Sequence, residues 1–111
     1  MAELQQEKRQ LSIKTGVVRR LSKEYWMYKQ EAKEQELVVE KYLAEHREPH
    51  EIRKQEEILK DCAQMVPDTR RRLADGVSDL DAYMHGLSDE AKNTEEYRAA
   101  VQALDTAKND E

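Results

Sequence analysis

Phenylalanine is absent from this 111-residue sequence, and aromatic residues make up only 5% of it. Ligand pockets are walled mainly by apolar and aromatic side chains, so this scarcity argues against a compact enzyme. Three glycines and two prolines offer little turn material. That disfavours a sandwich or barrel, which needs a tight turn after every short strand. The lone cysteine, Cys62, has no internal disulfide partner and fits a reducing compartment. Residues 1–10 lack the apolar core of a signal peptide, and no run has the length of a membrane span, so a soluble, cytoplasmic protein is expected.

What the chain does contain is charge. Charged residues make up 39%, hydrophobic residues 38%, and the net charge is −5. High charge with low hydrophobicity also marks disordered chains. Here, however, the apolar residues stay in phase over many turns, which a disordered chain has no reason to maintain.

From Ala2 to about Arg47 there is no proline, and Leu4, Leu11, Val18, Tyr25, Ala32 and Val39 recur every seven residues. Leu21, Tyr28, Gln35 and Tyr42 form a second row three places later. Two such rows make an a/d seam, the stripe through which coiled helices pack, and predict a helix over about residues 3–46. The segment His46-Arg47-Glu48-Pro49-His50 breaks the pattern, and Pro49 suits the first position of a new helix. Ile52, Leu59, Val66, Leu73, Leu80 and Leu87 then repeat every seven residues, supported by Gln55, Cys62, Thr69 and Tyr83. They predict a second helix over about 49–85. Pro67 lies inside it, but the repeat keeps its phase across the proline, so a kinked and continuous helix is expected. Gly86 suits the position after that helix, and Ser88, followed by Asp89 and Glu90, suits the start of a third, shorter helix over about 89–107. Its apolar face would be Ala91, Tyr97, Ala100, Val101, Leu104 and Ala107. Residues 108–111 are expected to fray.

Short connections make successive helices antiparallel. The expected fold is all-α: one domain spanning residues 1–111, an elongated up-down-up three-helix bundle with coiled-coil-like packing. A turn near Glu48 sets residue 24 opposite residue 72, so the third helix can cover only one half of the hairpin. Between about Gln30 and Met65 the two long helices would have one open side. Leu37, Val38, Val39, Tyr42 and Leu43 exceed what a two-helix seam buries.

No catalytic or metal-binding set can be assembled. His46 and His50 have the four-residue spacing of a helical zinc pair, but Pro49 sits between them and no further ligand accompanies them. They read as solvated turn residues. Gly16, Gly76 and Gly86 are scattered rather than gathered into a phosphate-cradling loop. Cys62 occupies a seam position and reads as core filler. The expectation is therefore a protein without catalysis, cofactor or metal.

The distribution of charge says more. Lys8, Arg9, Lys14, Arg19, Arg20 and Lys23 fall in a stretch that contains no acid. Hairpin geometry sets Arg70, Arg71 and Arg72 alongside Arg20, Lys23 and Glu24, which would form one basic belt on an acidic molecule. Such a belt is either a solvated face, paired in part with acids of the third helix, or a site for an acidic partner. The net charge of −5 and the lack of aromatics beside the arginines disfavour nucleic acid, so an acidic protein surface is the better partner. Trp26 lies off the seam, and packing against the third helix is its expected role, with a partner anchor as the alternative.

The stretch Ile13-Lys14-Thr15-Gly16-Val17-Val18-Arg19-Arg20-Leu21, continuing to Met27-Tyr28 and Glu31-Ala32, resembles the first helix of the tubulin-binding cofactor A family. Ile52-Arg53-Lys54-Gln55, Glu57-Ile58-Leu59 and Met65-Val66-Pro67-Asp68 with Arg71-Arg72-Leu73 resemble that family's proline-containing helix. Glu95-Glu96-Tyr97 and Leu104-Asp105 are similar to the third. Thr69, where the family often has cysteine, and the Tyr25-Trp26 pair depart from the pattern. The resemblance implies a three-helix bundle that captures β-tubulin during folding and passes it towards αβ-heterodimer assembly, in the cytoplasm and associated with the cytoskeleton. It implies neither nucleotide hydrolysis nor a cofactor. Partner-binding positions carried over are Lys14, Arg19, Arg20, Arg71 and Arg72, with Lys23 and Arg70 added from the charge pattern. A monomer is expected. The competing reading is a coiled-coil adaptor or homodimeric structural protein.

Overall fold

The computed structural model describes residues 2–109. Three α-helices carry nearly all of them: α1 (Ala2–Ala44), α2 (Pro49–His85) and α3 (Glu95–Asn109), with a short 3-10 turn at Ala91–Asn93 and no strand among the described residues. The chain divides into two compact units. A bundle unit comprises the residues up to Lys23 and from Arg71 onward, and a hairpin unit comprises Glu24–Arg70.

In the bundle unit, Leu11, Val18 and Leu21 of α1, Leu73, Leu80 and Met84 of α2, and Ala100, Ala103, Leu104 and Ala107 of α3 are buried. Each falls at heptad spacing or at the three- and four-residue spacing of a helix face, which is why one stripe per helix suffices to build this core. A Cβ added at Gly76 would lie 3.6 Å from Leu21 and 3.7 Å from Val17 and Val18, so α1 and α2 pack closely there. Lys14 on α1 donates to Asp79 on α2 at 2.7 Å. The pairings Leu21 with Gly76 and Lys14 with Asp79 run in opposite directions along the two helices, as an antiparallel pair requires.

Two hydroxyls in this unit, Thr15 Oγ1 and Ser22 Oγ, are buried without a hydrogen-bond partner. An unsatisfied buried hydroxyl costs about 1 to 3 kcal/mol, and replacing it with an apolar group of the same shape removes that cost. Thr15→Val is therefore expected to stabilise the protein by about 1 kcal/mol, read as a higher urea midpoint at unchanged slope.

Helix α3, expected from about Asp89, begins instead at Glu95. Two similar signals compete here: Ser88 before Asp89 and Glu90, and Thr94 before Glu95 and Glu96. Thr94 caps the helix, its Oγ1 accepting from the N–H of Tyr97 at 3.2 Å. Ser88 starts only the 3-10 turn, its Oγ accepting from the N–H of Ala91 at 3.2 Å. The carboxylate of Glu7 on α1 holds Ser88 in place, taking its N–H at 2.9 Å and its O–H at 2.8 Å. Of the tail expected to fray, Lys108 and Asn109 are still helical; Asp110 and Glu111 lie outside the described residues.

In the hairpin unit only Tyr25 and Thr69 are buried among the described residues. Leu37 is 62% exposed and Leu43 53%, as the excess of apolar residues over seam positions led one to expect. Gln35 Nε2 donates to the carbonyl of Gln55 at 3.0 Å and to its side-chain oxygen at 2.9 Å, a polar pair inside the seam. Helix α2 runs through Pro67 without a break. Pro67 and Ala63, whose carbonyl loses its donor, are both exposed, the side on which water replaces a missing N–H.

The hairpin turn closes in a Schellman motif. Arg47 N–H donates to Tyr42 O and His46 N–H to Leu43 O, both at 3.1 Å, with His46 left-handed at φ 53°. Glycine usually fills that position, because any Cβ is crowded in the left-handed region. His46→Gly is expected to stabilise the protein by up to about 1 kcal/mol, visible as a raised thermal midpoint. Gly86, at the end of α2, does not adopt a positive φ. Beyond His46, Arg47 binds Glu51 at 2.7 Å and Glu45 at 3.2 Å and stacks 4.3 Å from the Tyr42 ring. The hydrogen bonds to Glu51 and then Glu45 raise the pKa of its guanidinium.

Candidate partner-binding surface

Among the described residues no group of three or more His, Cys, Asp or Glu side chains could hold a metal ion. No helix among the described residues is long and apolar enough to cross a membrane. His46 is exposed in the turn, His50 is exposed in the first turn of α2, and Cys62 is half-buried in the seam.

The seven basic residues singled out from the sequence separate by environment. Arg19, Arg20, Lys23, Arg71 and Arg72 are exposed on the bundle unit. Arg20, Arg71 and Arg72 each engage a neighbouring group as well. Arg70, also exposed, is the last residue of the hairpin unit. Lys14 differs from the rest. Its ammonium is held by Asp79 and lies 5.4 Å from the Tyr83 ring, and only 24% of its side chain is exposed. It ties α1 to α2, a role that its place in a basic run did not disclose.

Acids of α3 do approach the basic stretch of α1. Lys8 Nζ lies 3.9 Å from Glu96, and Arg19 shares a cleft with Glu95 and Glu96. The Lys8–Glu96 pair is partly exposed, and such a pair contributes little stability. Trp26, expected to pack against the third helix, instead stands 54% exposed in the hairpin unit, bordering a cleft lined by α1 and α2 alone. The buried residues of the third helix belong to the bundle unit.

A long hairpin, a short third helix, and exposed Arg71 and Arg72 followed by buried Leu73 behind a proline-bearing turn of α2 reproduce the arrangement that the sequence motifs suggested. The family model for tubulin binding cofactor A matches residues 6–104. This chain belongs to that family. Tubulin-specific chaperone A of Mus musculus is 47% identical over 100 residues, covering 90% of this chain and 92% of that relative. The solved human tubulin chaperone cofactor A superposes with a TM-score of 0.80 at 45% identity, covering 92% of this chain and 98% of that one. Tubulin folding cofactor A from Arabidopsis thaliana shares the fold, with a TM-score of 0.86 at 24% identity over 95% of this chain and 98% of that one. Membership of the cofactor A family thus rests on nearly the whole chain.

Proposed function

We propose that this chain is a tubulin-folding chaperone that captures β-tubulin and holds it for assembly into the αβ heterodimer, acting through helical surfaces and without catalysis. The observation that carries this reading is the family match over residues 6–104, together with relatives named as tubulin-specific chaperones. Surface chemistry supports it. Exposed Arg19, Arg20, Lys23, Arg70, Arg71 and Arg72 supply positive potential on a molecule of net charge −5, which suits an acidic protein partner. Exposed Leu37 and Leu43 supply apolar area for a folding intermediate that has not yet buried its own. The reading places the protein in the cytoplasm, where it acts as a monomer.

The test is to incubate the purified protein with tubulin under conditions that dissociate the heterodimer, then separate the products by native gel or size exclusion. Co-migration with β-tubulin and not with α-tubulin is expected. A chain that elutes alone, while remaining helical and melting cooperatively, would overturn the reading. Sedimentation would then decide for the homodimeric or adaptor alternative.

A further inference from the structure

The chain has four serines and four threonines, and the fold sorts them by access. Thr15, Ser22 and Thr69 are buried, and Thr94 is half-buried with its hydroxyl committed to Ala91 O and to the N–H of Tyr97. Ser12, Ser78 and Thr106 are exposed, but each lies within a helix. Ser88 alone is both exposed and outside the helices, in the short connection between α2 and the 3-10 turn. A protein kinase takes its substrate as a short unwound segment and reads the charges beside the acceptor hydroxyl. Asp89 and Glu90 follow Ser88 directly, a pattern that suits a kinase whose substrate groove is basic.

The Ser88 hydroxyl already has a structural task. Its O–H donates to one oxygen of the Glu7 carboxylate at 2.8 Å, while the Ser88 N–H donates to the other at 2.9 Å, and together they fasten this connection to the start of α1. The cleft around it is lined by Glu3, Leu4, Glu7, Asp89 and Glu90, four carboxylates and no basic side chain. Lys92 and His85 line a separate cleft, and Lys8 lies towards Glu96. We infer that Ser88 is a phosphorylation site for an acid-directed serine kinase, and that the phosphate unfastens α1 from the connection between α2 and α3. In the transfer, Ser88 Oγ attacks the γ-phosphorus of ATP, the bond from that phosphorus to the bridging oxygen breaks, ADP leaves, and the hydroxyl proton passes to the base of the kinase. The product lacks the O–H that Glu7 accepts and carries roughly 1.5 to 2 added negative charges beside four carboxylates. Acceptor then faces acceptor, and like charges repel.

The test uses the full chain and reads phosphate and stability, so it does not depend on the chaperone reading. The purified protein is incubated with an acid-directed kinase of the casein-kinase type and magnesium ATP, and the site is located by peptide mass spectrometry. Phosphate on Ser88 is expected. The thermal midpoint should then fall by about 4 °C or more, and amides of residues 3–10 and 87–94 should exchange faster with solvent. Ser88→Ala, treated alike, should keep its midpoint. The fall should be smaller in Glu7→Gln, which keeps the shape without the charge, and smaller still or reversed in Glu7→Lys, whose ammonium can pair with the phosphate. Absence of phosphate on Ser88 overturns the proposal, as does phosphate there with an unchanged midpoint. A fall in Ser88→Ala, or a fall of equal size in wild type and the Glu7 variants, overturns it too, since the phosphate would then act elsewhere than through this carboxylate.

Discussion

Replacing Leu73 with alanine is expected to cost this protein about 2 to 5 kcal/mol. Leu73 is 1% exposed and packs in the bundle unit, where leucines such as Leu11 and Leu80 are equally enclosed and the other fully buried side chains are small. The loss combines the transfer free energy of the deleted carbons with the cavity they leave, and close-packed neighbours collapse into such a cavity only in part. Domains of this size are stable by about 5 to 15 kcal/mol, so one truncation removes a large share of the total. Urea unfolding should show a midpoint shift to match. Leu37→Ala is the control: that side chain is 62% exposed, and its loss should move stability by no more than about 0.5 kcal/mol. Similar costs at both positions would mean that the core does not lie where burial places it.

Reversing Arg71 and Arg72 to glutamate is expected to weaken β-tubulin capture at least tenfold, about 1.4 kcal/mol, while leaving helix content unchanged. Both side chains are exposed on α2, so neither contributes to the apolar core. Charges at the rim of an interface act mainly on the association rate and its dependence on salt. Added salt should therefore narrow the difference between wild type and variant. Arg53→Glu/Lys54→Glu makes the same change in net charge at exposed positions of the hairpin unit, so it separates a local effect from a global one. Binding unchanged by the Arg71 and Arg72 reversal would remove these residues from the contact surface.

The long-range organisation was legible because heptads are insensitive to local detail. Leu4 to Val39 and Ile52 to Leu87 carry the seam over many turns, and no single residue can mask such a period. The open side of the hairpin followed from counting apolar residues against seam positions. Features decided by one tertiary contact were not legible. Ser88 and Thr94 are similar capping signals in sequence, and the contact that distinguishes Ser88, with the carboxylate of Glu7, comes from far away in the chain. Thr15 and Ser22 are polar residues beside the seam, yet close packing in the bundle unit buries both. Lys14 looked like one more member of a basic run until Asp79 was found facing it.

The scarcity of buried side chains between Glu24 and Arg70 bears on how such a hairpin could meet a client that has no finished surface. Segments with few enclosed contacts open at a small fraction of the free energy needed to unfold a whole domain. A half-closed two-helix seam can therefore exchange rotamers and shift its side chains against an irregular apolar surface without the molecule losing its fold. Tyr25 and Thr69 anchor the base of the hairpin, and Arg47 with its two glutamates pins the tip. What lies between has few enclosed side chains and is fixed at both ends, so its side chains can shift while the pairing of the two helices keeps its register.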